Sequence, residues 1–188
     1  MTVGVLLLAA GGSRRFGSDK RFAQLPSGNT VLDTTLAAIT DSGLQAVVCV
    51  AGDDQETALA IGNKGFDCVL CGSAAKGVGH TLAQGVAQLP NWHGVLIALA
   101  DMPFVDPHTF RLVANAVTAQ RICRPVYNGQ PGHPVAFGRQ FFPALCELSG
   151  DVGAQSILRR YARCLTLLPC QDAGILRDID TAADLKPA

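Results

Sequence analysis

The sequence predicts an α/β protein: a three-layer α/β/α, doubly wound arrangement around a mainly parallel sheet. Two features of the chain carry that prediction. Short apolar runs of strand length, rich in Val, Leu and Ile, alternate with longer stretches of helical period. Strands separated by helices imply βαβ units, with helices covering both faces of the sheet. Composition supports a packed core, because 48% of the 188 residues are hydrophobic and only 16% are charged. That length suits one domain spanning residues 1–188, since domains usually run to about 100–200 residues.

Taken in order, strands are expected near 3–9, 45–51, 66–71, 95–100, 122–127 and 164–169. Helices are expected near 30–41, 54–62, 79–88, 107–119, 139–147, 152–162 and 181–186. The first helix carries Leu32, Leu36 and Ile39 on one face and stops before Gly43. Asp106 followed by Pro107 marks a helix start, with a capping side chain and then a proline at the first position. Residues 124–137 are rich in Pro and Gly and read as an excursion that returns as a short strand at 134–137. Ligands in open α/β sheets bind at the carboxyl ends of the strands. The loops after Ala10, Ala51, Cys71 and Ala100 are therefore the places to search.

Charge and cysteine content exclude some functions. Formal net charge is zero, so no global field favours nucleic acid or an anionic membrane, and any anion must be held by local groups. The first apolar run, 3–10, is too short to span a bilayer and has no basic segment before it. The expectation is a cytoplasmic protein. Seven cysteines, most of them within apolar runs, read as buried reduced thiols. Cys68 and Cys71 have metal-ligand spacing, but they lie in an expected strand, and no second pair completes a zinc site.

The loop after the first strand, "AAGGSRRFGSDK", concentrates the chemistry. Gly11, Gly12 and Gly17 allow backbone N–H groups close to an anion. Arg15 can grip phosphate oxygens with a fork of donors, and Lys20 supplies a point charge. The pattern suits a triphosphate; the alternative is a flexible turn with solvated basic residues. Ser18 and Asp19 stand where a Walker loop needs Lys and Ser or Thr, and no GxGxxG dinucleotide fingerprint is present. At the end of the fourth strand, Asp101 in "LADMP" offers a hard oxygen ligand for magnesium, which takes one or two carboxylates plus substrate phosphates. A turn or capping aspartate is the alternative there.

The stretch "LAAGGSRRFGSDK" (8–20) resembles the LAAGxSxRxGxxK signature of the nucleotidyltransferase family that includes molybdenum cofactor cytidylyltransferase, with Leu8, Ala9, Ala10, Gly11, Ser13, Arg15, Gly17 and Lys20 filling every fixed position. The resemblance implies a Rossmann-like nucleotidyltransferase fold. It also implies that the loop, Gly12 included, wraps the triphosphate of a nucleotide, and that Asp101 binds Mg²⁺. "KGVGHTLAQG" (76–85) resembles the family's G-M-S-S-S-L-x-x-G stretch, which lies beside base and ribose. Gly77, Thr81, Leu82 and Gly85 match, while Val78, Gly79 and His80 depart from it. His80 is either a nucleotide contact or a solvated residue at a helix start.

Three further segments resemble the cytidylyl branch: "GQPGHPV", "GDVGA" and the terminal "DIDTAADL". His133 then borders the acceptor or is a turn histidine bonded locally. Asp151 caps the helix 152–162, touches the acceptor side, or supplies a second metal carboxylate. Asp180 reads most simply as the cap of the last helix. Arg159, Arg160 and Arg163 reach an anionic acceptor or form a solvated helix face.

Ala10, where guanylyl relatives carry glycine, points to CTP, whereas "GSDK" (17–20) leans towards those relatives. The implied reaction is transfer of CMP to the phosphate of a molybdopterin-type acceptor, catalysed by Arg15, Lys20 and Asp101. The implied partners are CTP, that acceptor, and an apo-molybdoenzyme or its chaperone as recipient, with neither nucleic acid nor membrane. Other readings are a GTP-dependent transferase, another phosphorylated acceptor, an NAD(P)-dependent oxidoreductase of a heterocycle, and a non-catalytic nucleotide sensor.

Overall fold

The structure, a computed structural model, describes residues 2–11, 16 and 19–185. Eight strands are found among them: β1 (Val3–Leu8), β2 (Gln45–Ala51), β3 (Asp67–Cys71), β4 (Gly94–Leu99), β5 (Ile122–Tyr127), β6 (Gln130–Pro131), β7 (Val135–Gly138) and β8 (Leu165–Pro169). They form one sheet in the order β3-β2-β1-β4-β7-β5-β6, with β8 paired to β5. β1 runs parallel to β2 and β4, and β2 runs parallel to β3. β7 runs reversed, antiparallel to both β4 and β5, and the two-residue β6 at the edge is likewise antiparallel to β5. The carboxyl ends of β1–β5 and the amino end of β7 therefore share one rim.

The helices are α1 (Val31–Asp41), α2 (Gln55–Gly62), α3 (Val78–Ala87), α4 (Pro107–Ala116), α5 (Phe142–Cys146) and α6 (Gln155–Arg160). The period-two alternation of the strands sends successive side chains to opposite faces. Along β1, Val5 and Leu7 join Leu36 and Phe110 in one core, while Leu6 joins Leu82 and Phe141 in the other. Helices thus cover both faces, and the central strands are buried from both sides, as parallel sheets require. Helix starts follow the expected capping chemistry. Thr30 accepts from the Asp33 N–H at 3.1 Å, and Asp106 accepts from the His108 N–H at 2.6 Å.

Several expected elements differ, each for a tertiary reason. The helix expected at 152–162 is only Gln155–Arg160, because the preceding residues are drawn onto the start of α3, where the Gly79 N–H donates to the Gly150 carbonyl at 2.9 Å. α4 stops at Ala116 rather than 119, since the Ala119 carbonyl accepts from the Gln140 N–H beyond β7. The stretch 139–147 divides into a 3₁₀ turn, Arg139–Phe141, followed by α5, which begins at Phe142 with Pro143 in its first turn. The last helix is a single 3₁₀ turn, Ala182–Leu185, with Asp184 accepting from the Asp180 and Thr181 N–H groups. Among the cysteines, Cys49, Cys71 and Cys123 are buried, three are half-buried and Cys146 is exposed, so the buried-thiol expectation holds only in part. No described helix is long and apolar enough to cross a membrane.

Candidate active site

A cleft of about 920 Å³ opens above the ends of β1, β2 and β3. Leu8, Ala10 and Gly11 form one wall, Gly77, Val78 and Thr81 the facing one, and Asp101 and Asp151 stand at its edge. β1 ends in the cleft because the Ala9 N–H still pairs with the Cys49 carbonyl, while the Ala100 N–H pairs with the Leu8 carbonyl. Gly11 does not adopt positive φ. Among the described residues nothing lies within 4 Å of where its Cβ would be. Gly12, Ser13, Arg15 and Gly17 lie outside the described residues.

Lys20 and Asp101, 81 positions apart, meet at the rim. The Lys20 ammonium donates to Asp101 Oδ2 at 2.7 Å and to Asp180 Oδ1 at 3.2 Å. Burial alone would lower the lysine pKa, but hydrogen bonds and charge from Asp101 and then Asp180 outweigh it and hold the ammonium above its ordinary value. Asp101 Oδ1 is buried and has no hydrogen-bond partner among the described residues. A carboxylate oxygen left in that state is a ready ligand for a hard divalent cation. No cluster of three or more His, Cys, Asp or Glu side chains suited to a metal occurs among the described residues.

Asp180 corrects the sequence reading. It does not cap a helix; it faces Lys20. Ile179, fully buried beside Leu25 and Val31, donates its N–H to the Asp101 carbonyl at 2.8 Å and so brings its neighbour to the site. Asp151 is not a helix cap either, because α6 starts after Ala154 with no side-chain capping bond. It lies exposed at the cleft edge.

Gly77, at φ +122°, takes a conformation that L side chains rarely adopt. A Cβ at Gly79 would come within 2.8 Å of the Ser149 and Val152 backbones. The departure from the family serine at Gly79 thus has a packing cause. Thr81 is buried and lines the cleft, while His80 is half-buried and absent from its wall.

Arg21 was not anticipated. It donates to the Ala9 carbonyl at 2.9 Å and to Asp54 Oδ2 at 2.6 Å, and it also pairs with Asp19. Asp54 meanwhile caps α2 through the Thr57 N–H. Burial raises the Asp19 carboxyl, yet hydrogen bonds and charge from Arg21 outweigh it and hold the group below its ordinary value. This network ties the far end of the glycine loop to the loop after β2. The run "DKR" hid it, because sequence alone does not say which of two adjacent cations faces the ligand.

His133 sits at the amino end of β7, on the shared rim. Its pKa is lowered by burial first and by the charge of Arg124 next, with the Ile97 backbone opposing. Arg159, Arg160 and Arg163 are exposed, and Arg160 lies over the Tyr161 ring at 5.3 Å, which supports the solvated-face reading.

The MobA-like NTP transferase domain matches residues 5–164. The chain belongs to the MobA-like NTP transferase family. Purine catabolism protein PucB of Bacillus subtilis (strain 168) is 31% identical over 188 residues, covering 94% of this chain and 90% of that protein. Nicotine blue oxidoreductase of Paenarthrobacter nicotinovorans is 27% identical over 190 residues, covering 96% of this chain and 93% of that one. Among solved structures, Rv0371c of Mycobacterium tuberculosis H37Rv superposes with a TM-score of 0.83 at 28% identity, covering 97% and 94% of the two chains. A manganese complex of Rv0371c superposes at 0.78 with 26% identity over 98% and 96%. With this membership, the mainly parallel sheet and the site at its rim, the chain is a MobA-like nucleotidyltransferase.

Proposed function

We propose that this MobA-like enzyme transfers CMP from CTP to the phosphate of molybdopterin, giving the cytosine dinucleotide cofactor and pyrophosphate. The observation that carries the reading is the Lys20–Asp101 pair at 2.7 Å on the edge of a cleft lined by Ala10 and Gly11. An oxygen of the acceptor phosphate bonds to the α-phosphorus, the bond from that phosphorus to the bridging oxygen breaks, and its electron pair leaves with pyrophosphate. The acceptor phosphate is already an anion near neutral pH, so no general base is needed. Backbone N–H groups of residues 10–13 with Arg15 and Lys20 stabilise charge on the departing phosphates, and positioning supplies the rest of the rate.

Asp101, through its unpartnered Oδ1, would hold Mg²⁺, with Asp180 beside it. When bound, the ion would polarise the α-phosphate and neutralise the leaving group. That Rv0371c, 26% identical, has been solved as a complex with manganese supports a divalent ion for this chain. Ala10 on the cleft wall favours a pyrimidine by narrowing the room beside the base.

Pyrophosphate release tests the reading, with purified protein, a molybdopterin source, Mg²⁺ and CTP, GTP or ATP in turn. Release with CTP well above the others is expected; release with GTP alone overturns the choice of nucleotide. The likeness to nicotine blue oxidoreductase favours a second reading, redox chemistry on a heterocycle. Fluorescence titration with NADH decides it, and saturable NADH binding without pyrophosphate release from any nucleotide would replace the first reading with the second.

A further inference from the structure

The glycine segment, residues 10–18, runs in sequence between Ala9 and Asp19. One guanidinium holds both of these flanks. Arg21 Nη1 donates to the Ala9 carbonyl at 2.9 Å, and Nε donates to Asp19 Oδ1 and Oδ2 at 2.9 and 3.0 Å. Nη2 also reaches Asp19 Oδ2, and it donates to Asp54 Oδ2 at 2.6 Å. The Arg21 backbone N–H donates to Asp19 Oδ1 at 3.0 Å, which steadies that carboxylate from a second direction. Asp54 belongs to the loop after β2 and is itself fixed, because it caps α2 through the Thr57 N–H at 3.2 Å.

None of these three side chains lines the cleft, but their chain neighbours do. Ala10 and Gly11 follow Ala9 on one wall, and Gly52 and Asp53 precede Asp54 on another. The guanidinium therefore joins two walls from behind. The Arg21 side chain is 13% exposed and that of Asp54 21%, so water competes little for the contact. Burial opposes the arginine's charge, and hydrogen bonds from Asp19 and then Asp54 outweigh it. Lysine could keep that charge but not the contacts. Its ammonium is a single point, whereas the planar fork meets a carbonyl and two carboxylates at once.

We propose that Arg21 is a positioning residue for the nucleotide: it ties the flanks of the glycine segment to the loop after β2 and so sets the spacing of the Ala10–Gly11 and Gly52–Asp53 walls before a ligand arrives. The proposal rests on the nucleotide reading of the cleft. A ligand that must order its own site binds more weakly, in proportion to the fraction of free protein already in the competent arrangement. A wall set beforehand spares it that cost. Arg21 touches no substrate in this account; it acts through Ala9 and Asp54.

The test measures binding of CTP, GTP and ATP, each with Mg²⁺, to the full chain by calorimetry. Amide exchange at Ala10, Gly11, Gly52 and Asp53, in free and nucleotide-saturated protein, is the second readout. Arg21→Lys is expected to weaken the nucleotide that wild type binds best at least about tenfold. It is also expected to speed exchange at these amides in the free protein, with wild-type exchange regained at saturation. Asp54→Asn keeps a capping side chain on α2 and removes the charge facing Arg21. It is expected to act in the same direction, and it carries the test should Arg21→Lys fail to fold. Wild-type affinity in a folded Arg21→Lys protein overturns the proposal, since charge alone would then suffice. Weaker binding with unchanged exchange also overturns it, by reducing Arg21 to an electrostatic effect on the phosphates. Wild-type affinity in Asp54→Asn overturns the bridge between the walls. A wild type that binds no nucleotide overturns the nucleotide reading; faster exchange in Arg21→Lys would then still support the bridge, and unchanged exchange would overturn both.

Discussion

Lys20 holds Asp101 in the arrangement that a polyphosphate and a metal ion would exchange for their own contacts. The lysine stays protonated through neutral pH, because its two carboxylate partners outweigh the cost of its burial. Asp101 Oδ1 has no hydrogen-bond partner among the described residues and, on the proposed reading, would take the cation, while Lys20 occupies Oδ2. Lys20→Ala and Asp101→Ala are therefore each expected to lower kcat/KM at least about a hundredfold, equivalent to about 2.7 kcal/mol of transition-state stabilisation. Both side chains lie at the rim rather than in either core, so far-UV circular dichroism and the melting midpoint should stay close to wild type. Near-normal turnover in either purified variant would reject the role given to that residue. The two motifs that contain them were legible in the sequence. Their meeting was not, because no local rule relates positions 81 apart.

The junction between the start of α3 and the segment before α6 shapes one wall of the cleft. The Gly79 N–H bonds to the Gly150 carbonyl, and Gly77 packs against Gly150 and Asp151. Gly79→Ala would force a Cβ to 2.8 Å from the Ser149 and Val152 backbones. Overpacking of this kind typically costs about 1–3 kcal/mol, and urea denaturation should show it as a lower midpoint. Gly62, at the end of α2, has nothing among the described residues within 4 Å of its missing Cβ. Gly62→Ala is the matched control and should stabilise by about 0.5–1 kcal/mol through helix propensity. Equal effects at the two sites would refute the packing account. The helix expected at 152–162 was overextended because apolar period alone does not reveal that residues before 155 are bound to another element.

For the whole molecule, the sheet order decides which loops can share a ligand. β1 lies between β2 and β4, so Ala10, Gly11 and Asp101 line one opening, and the reversed β7 adds His133 to the same rim. A ligand that binds only the folded chain raises its melting temperature by mass action. At about a hundred times its dissociation constant, CTP with Mg²⁺ should contribute about 2.7 kcal/mol, or about 5–10 °C for a chain of this size. Chelation with EDTA should remove most of that shift, and GTP should give less of it. No shift with any nucleotide would count against a nucleotide site at this rim.

From its residues alone, the chain determined the class of fold, the positions of most strands and helices, and the loop and acid at which phosphate chemistry was to be sought. Period and turn chemistry are local, and local patterns can be read directly. Tertiary structure decided the rest: Asp180 beside Lys20 rather than on a helix, Arg21 bridging two loops, Arg124 bonded to the Gly132 and Pro131 carbonyls, and Asp151 at a cleft edge. Each of those depends on which strands are neighbours, and that is set by how the two cores pack across the sheet.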